Sequence, residues 1–239
     1  MNTINYGDVF NSYTLNIFTD ASIKMYPELN NFTVSVPGAV AVITNDKGDS
    51  QIIDSLMYTI PFSTNNDGEI SAIRLGVFLA LRNRHLGFKK INLFSDSNIC
   101  IQGLNDYIYK WFAKRKGDVL ISSSNKPAFN QEIFKAIIND IVNNQLYIEL
   151  YHQKGHVGET CTVNYAMEDF IRTNGLQPSR DLMNILSMYN KHVDIMTKIA
   201  LQSYDSNLHY YFNSMQTGFK INQLNQSKMD QYRSYTRKE

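Results

Sequence analysis

Cysteine is nearly absent. Cys100 and Cys161 are the only two in 239 residues. They have neither metal-ligand spacing nor the density of a disulfide framework, so two small buried hydrophobes in a reducing compartment is the simpler reading. No apolar run approaches the ~18–20 residues that cross a bilayer, and the first residues lack the basic segment and apolar core of a signal peptide. The expectation is a soluble protein of the cytoplasm or another intracellular compartment, with no membrane partner. Net charge is lacking as well: Lys+Arg 23 against Asp+Glu 22 leaves +1. Binding to a polyanion must then come from a local patch. No internal repeat is visible.

An apolar fraction of 43% supports a substantial core. The length allows one large domain, or a domain of about 150 residues with an appendage. Residues 14–20 alternate as a strand that closes on Asp20. Residues 37–44 form a second strand, 45–48 have turn composition, and 51–58 return as a third. A helix is predicted from Asp67-Gly68 to Gly87, with Ile70, Ile73, Leu75, Val77, Phe78 and Leu81 as its apolar stripe. Residues 91–95 are a short strand, and Asp96-Ser97 caps a helix that continues through Ile108. A basic, polar loop spans 114–126, a helix 130–143 and a fifth strand 146–151, and a further helix starts near Val163.

This order describes an α/β fold, a mixed five-stranded sheet with helices on both faces. Residues 1–12 read as an N-terminal arm, 13–175 as the main domain and 176–239 as a mostly helical C-terminal extension. Within the extension, 181–202 is amphipathic. Residues 203–239, rich in Tyr, Asn and Gln, have no period, and their tyrosines are expected to cap the domain rather than stack on bases.

Four acids fall where an element can aim them at one point: Asp20, Glu69, Asp96 and Glu168. A carboxylate closing an apolar strand costs stability unless something compensates it, and a set gathered around divalent metal gives each one a partner. Taken singly, they are a strand-end Asp, two acids at helix N-termini favoured by the dipole, and a surface Glu.

The surrounding motifs narrow the choice. The first strand ends in Thr19-Asp20-Ala21-Ser22, and Thr64-Asn65-Asn66 precedes Glu69 at the head of a helix. Asp96-Ser97 closes the fourth strand, with Gln102-Gly103 in the next helix. Lys110-Trp111-Phe112-Ala113-Lys114-Arg115-Lys116 is a basic, tryptophan-bearing segment. Lys126-Pro127 precedes a helix, and Lys154-Gly155-His156 follows the fifth strand. Each fragment alone is weak. In this order, between these elements, they resemble type 1 ribonuclease H over residues 13–175. Ala21 departs from the family's usual Gly, so a turn there must accept a Cβ. The family's last helix carries Asp four residues after its Asn. Counting from Asn164, that position is Glu168, with Asp169 beside it. A helix turns about 100° per residue, so the two cannot face the site equally. Register favours Glu168, because Phe170 then takes the apolar place two residues on, and Asp169 is the alternative.

The resemblance implies two Mg²⁺ ions, with Mn²⁺ as a substitute, held by Asp20, Glu69, Asp96 and Glu168. Asp20 would bridge them, Glu69 and Asp96 would complete one site, and Glu168 would help hold the other. It implies that His156 assists proton transfer or product release. The substrate implied is an RNA–DNA hybrid, cut in its RNA strand to 5′-phosphate and 3′-hydroxyl ends. Asn65, Asn66 and Asn98 suit sugars and minor-groove edges, because an amide both donates to and accepts from a 2′-hydroxyl, though Asn also simply favours turns and caps. Ser22 would help hold the substrate backbone. Lys110, Trp111, Lys114, Arg115 and Lys116 would grip DNA phosphates in a salt-dependent way, the alternative being a solvated helix end whose Trp is core. No protein partner is specified. Two rivals stay open: a DNA nuclease or resolvase of the same superfamily, and a hybrid-binding module whose metal site has decayed.

Overall fold

The structure, a computed structural model, describes residues 2–29, 31–45 and 47–215. It opens with a short strand β1 (Thr3–Ile4) and a one-turn helix α1 (Tyr6–Val9). Three long strands follow, β2 (Thr14–Tyr26), β3 (Phe32–Thr44) and β4 (Ser50–Met57), then β5 (Ile60–Pro61), which pairs with β3. Next come helix α2 (Asn65–Arg82), strand β6 (Lys90–Ser95) and helices α3 (Asn98–Gln102) and α4 (Ile108–Ala113), joined by a π-helical segment, Gly103–Tyr107. Helix α5 (Gln131–Asn143), strand β7 (Ile148–His152), helix α6 (Val163–Asn174), strand β8 (Gln177–Pro178) and helix α7 (Arg180–Met215) complete it.

The main sheet has the order β4-β3-β2-β6-β7. β2, β3 and β4 are antiparallel, whereas β6 and β7 run parallel to β2. This is the mixed α/β sheet expected from the sequence, with helices on both faces. β2 is buried on both sides over its first half, polar residues included. Leu15 and Ile17 pack with Ile70, Ile73 and Val77 of α2 and Phe134 and Ile137 of α5. Phe18 points the other way, into a second core with Phe94, Phe170, Leu186 and Tyr189.

Two boundaries differ from expectation in ways that matter for function. α2 begins two residues before Asp67, because Thr64 and Asp67 form a reciprocal cap: Asp67 N donates to Thr64 Oγ1 at 3.2 Å and Thr64 N donates to Asp67 Oδ2 at 2.6 Å. β2 does not end at Asp20 but continues to Tyr26, held by antiparallel pairing with β3. What ends beside Asp20 is its other neighbour, since the last β2–β6 pair is Thr19↔Ser95. Asp20 therefore stands where the parallel half of the sheet stops, the place where open α/β sheets bind ligands.

The ends of the described chain are tied to the body. β1 pairs in parallel with β8, and Val9 and Phe10 are buried, which anchors the N-terminal residues to the body. α7 supplies Leu182, Met183, Leu186, Tyr189 and Val193 to the second core. The part of the tyrosine-rich stretch at 216–239 lies outside the described residues. No helix among the described residues is long and apolar enough to cross a membrane.

Candidate active site

Asp20, Glu69 and Asp96 converge from β2, the first turns of α2 and the end of β6. One oxygen from each lies within 4.8 Å of the others, a spacing that suits a shared cation. The approach of α2 depends on Gly68. A Cβ there would lie 3.0 Å from the Ala21 Cβ and 3.1 Å from that of Ser35. The methyl of Ala21, the departure from the family's Gly, thus sits against the residue that has no side chain. No turn is needed at Ala21, which is an extended strand residue paired with Pro37.

The cluster is electrostatically unfavourable as it stands. Burial, then repulsion from Asp96 and Asp20, pushes the Glu69 carboxyl up to about 10. Burial also raises Asp20 well above the usual carboxylate range, with Asp96 adding to it. Asp96 is raised by burial, while His156 and Lys154 pull it back down. Glu69 Oε2 is buried without a hydrogen-bond partner. A buried acceptor aimed into a set of like charges is the arrangement that a divalent cation with oxygen ligands relieves, so the residues fit such an ion.

Behind Asp96 lie two buried neighbours, His152 and Asp169, the alternative fourth acid. The His152 Nε2 donates to the Asp96 carbonyl at 3.0 Å, and its Nδ1 is 3.1 Å from Asp169 Oδ2. Arg172 bonds the other oxygen of Asp169. Burial lowers the His152 pKa and the Asp169 charge opposes that effect. In the adjoining loop, Gly155 lies so close that a Cβ would run into the Asp96 carboxylate. His156 adopts a left-handed backbone (φ 55°) and is half-exposed, with Nδ1 3.5 Å from Glu159.

Several expectations need correction. Glu168 is exposed on α6 and is not part of the three-carboxylate group. The alternative, Asp169, is buried beside His152, outside the three-carboxylate group, with Oδ1 bonded by Arg172. Ser22 is covered rather than open to substrate: its hydroxyl meets Thr197 Oγ1 of α7 at 2.9 Å. Trp111 is 6% exposed and makes edge contacts with Phe129 and Phe134, so its ring belongs to the core and not to a phosphate grip. The other expected contacts are accessible. Asn65 and Asn66 are exposed at the start of α2, Asn98 is partly buried at the start of α3, and Lys110, Lys114, Arg115 and Lys116 are exposed, with Lys110 paired to Asp106. One acid went unmarked altogether. Asp194 of α7 is close enough to raise the carboxyls of both Asp20 and Asp96. Its only sequence signal was its position in the amphipathic repeat, beside Val193.

The RNase H family model matches residues 12–175, more than half of the chain. The chain belongs to the RNase H family. Among solved structures it is similar to a prototype foamy virus protease–reverse transcriptase mutant, with a TM-score of 0.50 and 18% identity over 73% of this chain and 21% of that one. The RNase H domain of the same virus in solution gives 0.49 and 18%, over 75% of this chain and 94% of that one. RNase H1 of the archaeon Halobacterium salinarum gives 0.38 and 17%, over 59% and 86%. Identities this low speak to fold alone. The chain spans 20% and 21% of the length of two other foamy virus protease–reverse transcriptase chains that it matches. No curated protein matches it.

Proposed function

We propose that this chain is a divalent-metal-dependent endonuclease that hydrolyses the RNA strand of RNA–DNA hybrids, leaving 5′-phosphate and 3′-hydroxyl ends. The observation that carries the reading is the convergence of Asp20, Glu69 and Asp96 within 4.8 Å, with a buried, unpartnered oxygen on Glu69, in an RNase H family chain. These three residues would hold Mg²⁺ or Mn²⁺. Bound divalent ions supply positive charge to the attacking and leaving oxygens of a phosphodiester.

The chain's own residues do the rest. In the reaction a water oxygen bonds to phosphorus as the P–O3′ bond breaks, and the departing 3′-oxygen takes up a proton. His156, half-exposed beside Asp96, is suited to carry that proton between the site and solvent. Asn65 and Asn66 lie four and three positions before Glu69 at an exposed helix start, within reach of a sugar edge near the cluster. Their amides can donate to and accept from a 2′-hydroxyl, the group that distinguishes RNA from DNA. Lys114, Arg115 and Lys116 give an exposed basic surface for phosphates.

Cleavage of an end-labelled hybrid, beside duplex DNA and duplex RNA, tests this reading with wild type and Asp20→Asn. Cutting confined to the RNA strand, lost in the variant while hybrid binding persists, is the expected result. Cutting of duplex DNA, or none with either metal, would refute it.

A further inference from the structure

We infer that Asp194 of α7 is the fourth carboxylate of the metal site, the role that motif counting assigns to α6. The inference rests on the metal-dependent reading above and adds to it a ligand from beyond the family-matched residues, which end at 175.

The geometry comes from how α7 lies along β2. Tyr189 stacks on Phe18 with ring centroids 5.0 Å apart, the Thr197 and Ser22 hydroxyls meet at 2.9 Å, and Lys24 Nζ reaches Asp205 at 2.7 Å. Helix and strand therefore run in the same direction. From Tyr189 to Thr197 the helix rises about 12 Å, and from Phe18 to Ser22 the strand advances about 13 Å, so the two stay in step. Asp20 lies midway between Phe18 and Ser22, on the same face of β2. The part of α7 beside it is the turn before Thr197, which contains Val193 and Asp194.

Gly38 confirms how closely the helix is seated. It is paired directly with Asp20 in the β2–β3 ladder. A Cβ at Gly38 would lie 2.5 Å from Thr197 Cγ2 and 3.5 Å from Val193 Cγ1. The absence of that Cβ lets α7 settle over the Asp20–Gly38 pair and carries Asp194 in with it.

Asp194 itself is 9% exposed and faces the cleft that Lys154 and His156 line, the same two residues that act on Asp96. Its charge bears on Asp20 and Asp96 together. The independent sign of a cation at this cluster is Glu69 Oε2, 93% buried by residue and without a partner. Asp194 now pairs with Lys198 Nζ at 2.7 Å, and the Lys198 charge lowers the Asp20 carboxyl. Lys198 is thus an internal cation competing for the carboxylates. Removing it should favour a metal ion, whereas removing Asp194 should disfavour one. Neighbouring residues on one helix should then act with opposite sign, which a purely structural role of α7 does not produce.

The test is Mn²⁺ binding to the full chain, followed by loss of the free-ion spin-resonance signal, with melting in EDTA as the control for folding. Asp194→Asn should weaken Mn²⁺ by about tenfold or more, since affinity follows ligand charge and count. Lys198→Gln should tighten it, and Glu168→Gln should leave it as in wild type. If wild type binds Mn²⁺ but Asp194→Asn binds it equally well, or Glu168→Gln is the damaging variant, the assignment of Asp194 is overturned and the nuclease reading stands. If wild type binds no Mn²⁺ and cleaves nothing, both fail together.

Discussion

Replacing Glu69 with Gln should make the metal-free protein more stable and the metal-loaded protein less so. Glu69 is 7% exposed, and burial with two acidic neighbours holds its carboxyl at about 10, against an ordinary 4.5. Between those values the folded state binds more protons than the unfolded one, so stability falls as pH rises, and the penalty is absent below pH 4.5. At pH 7 the span above the ordinary value is roughly 2.5 pH units, which at about 1.4 kcal/mol each costs the metal-free fold at most about 3 kcal/mol. Asp20 and Asp96 are raised in the same direction and steepen the trend. Gln keeps the shape and leaves a buried polar group much like that of the neutral acid, but it cannot ionise. Metal-free Glu69→Gln should therefore melt some 5–10 °C above wild type at pH 7–8, taking about 2–4 °C per kcal/mol for a chain of this size. The two should converge at pH 4.5. A metal that binds only the folded state stabilises by about 3 kcal/mol at a hundredfold excess over its Kd, so saturating Mn²⁺ should raise wild type and leave the variant nearly unmoved. The assay is a set of melts from pH 4.5 to 9 in EDTA and in Mn²⁺. A metal-free variant that melts at or below wild type at pH 8 would refute the claim that burial, with the two acidic neighbours, penalises the Glu69 charge in the fold.

Trp111→Ala should lower stability by about 3–5 kcal/mol in urea unfolding, the cost of removing a buried aromatic, while Lys114→Ala, Arg115→Ala and Lys116→Ala should leave stability alone and weaken hybrid binding. Each lost phosphate contact should reduce the slope of log affinity against log salt by about 0.7–0.9, and an unchanged slope would remove that residue from the interface. Asp169→Asn, at a buried position outside the three-carboxylate group, should leave Mn²⁺ affinity intact, and weakened Mn²⁺ binding would return it to the list of ligands. Gly38→Ala should destabilise by about 1–3 kcal/mol, because the new methyl must displace Thr197, and an unaltered urea midpoint would mean that α7 does not lie against the sheet in solution.

Much of this protein is local enough to read along the chain. The alternation in 14–20, the apolar strand at 37–44, the helical stripe from Ile70 to Leu81 and the acids near element junctions depend on neighbours in sequence, and the structure retains them. The sheet class and the family follow from that order of elements and motifs. The convergence of Asp20, Glu69 and Asp96 was also expected, because each belongs to a motif tied to an element end.

Contacts between distant segments were beyond reach. Whether Trp111 grips phosphate or fills a core depends on Phe129 and Phe134 meeting it from another part of the chain. Ser22 looked available because nothing near it in sequence reveals Thr197, 175 positions away. Counting from Asn164 singles out Glu168, but the rotation of α6 buries Asp169 against His152 and turns Glu168 to solvent. Asp194 carries no motif at all. Only the docking of α7 along β2, permitted by a glycine opposite Asp20, brings its charge to the carboxylates. Local pattern determined what the elements are and which three acids belong to their motifs. The packing of helices on the sheet decided which side chains share a site, because that depends on distances between residues far apart in the chain.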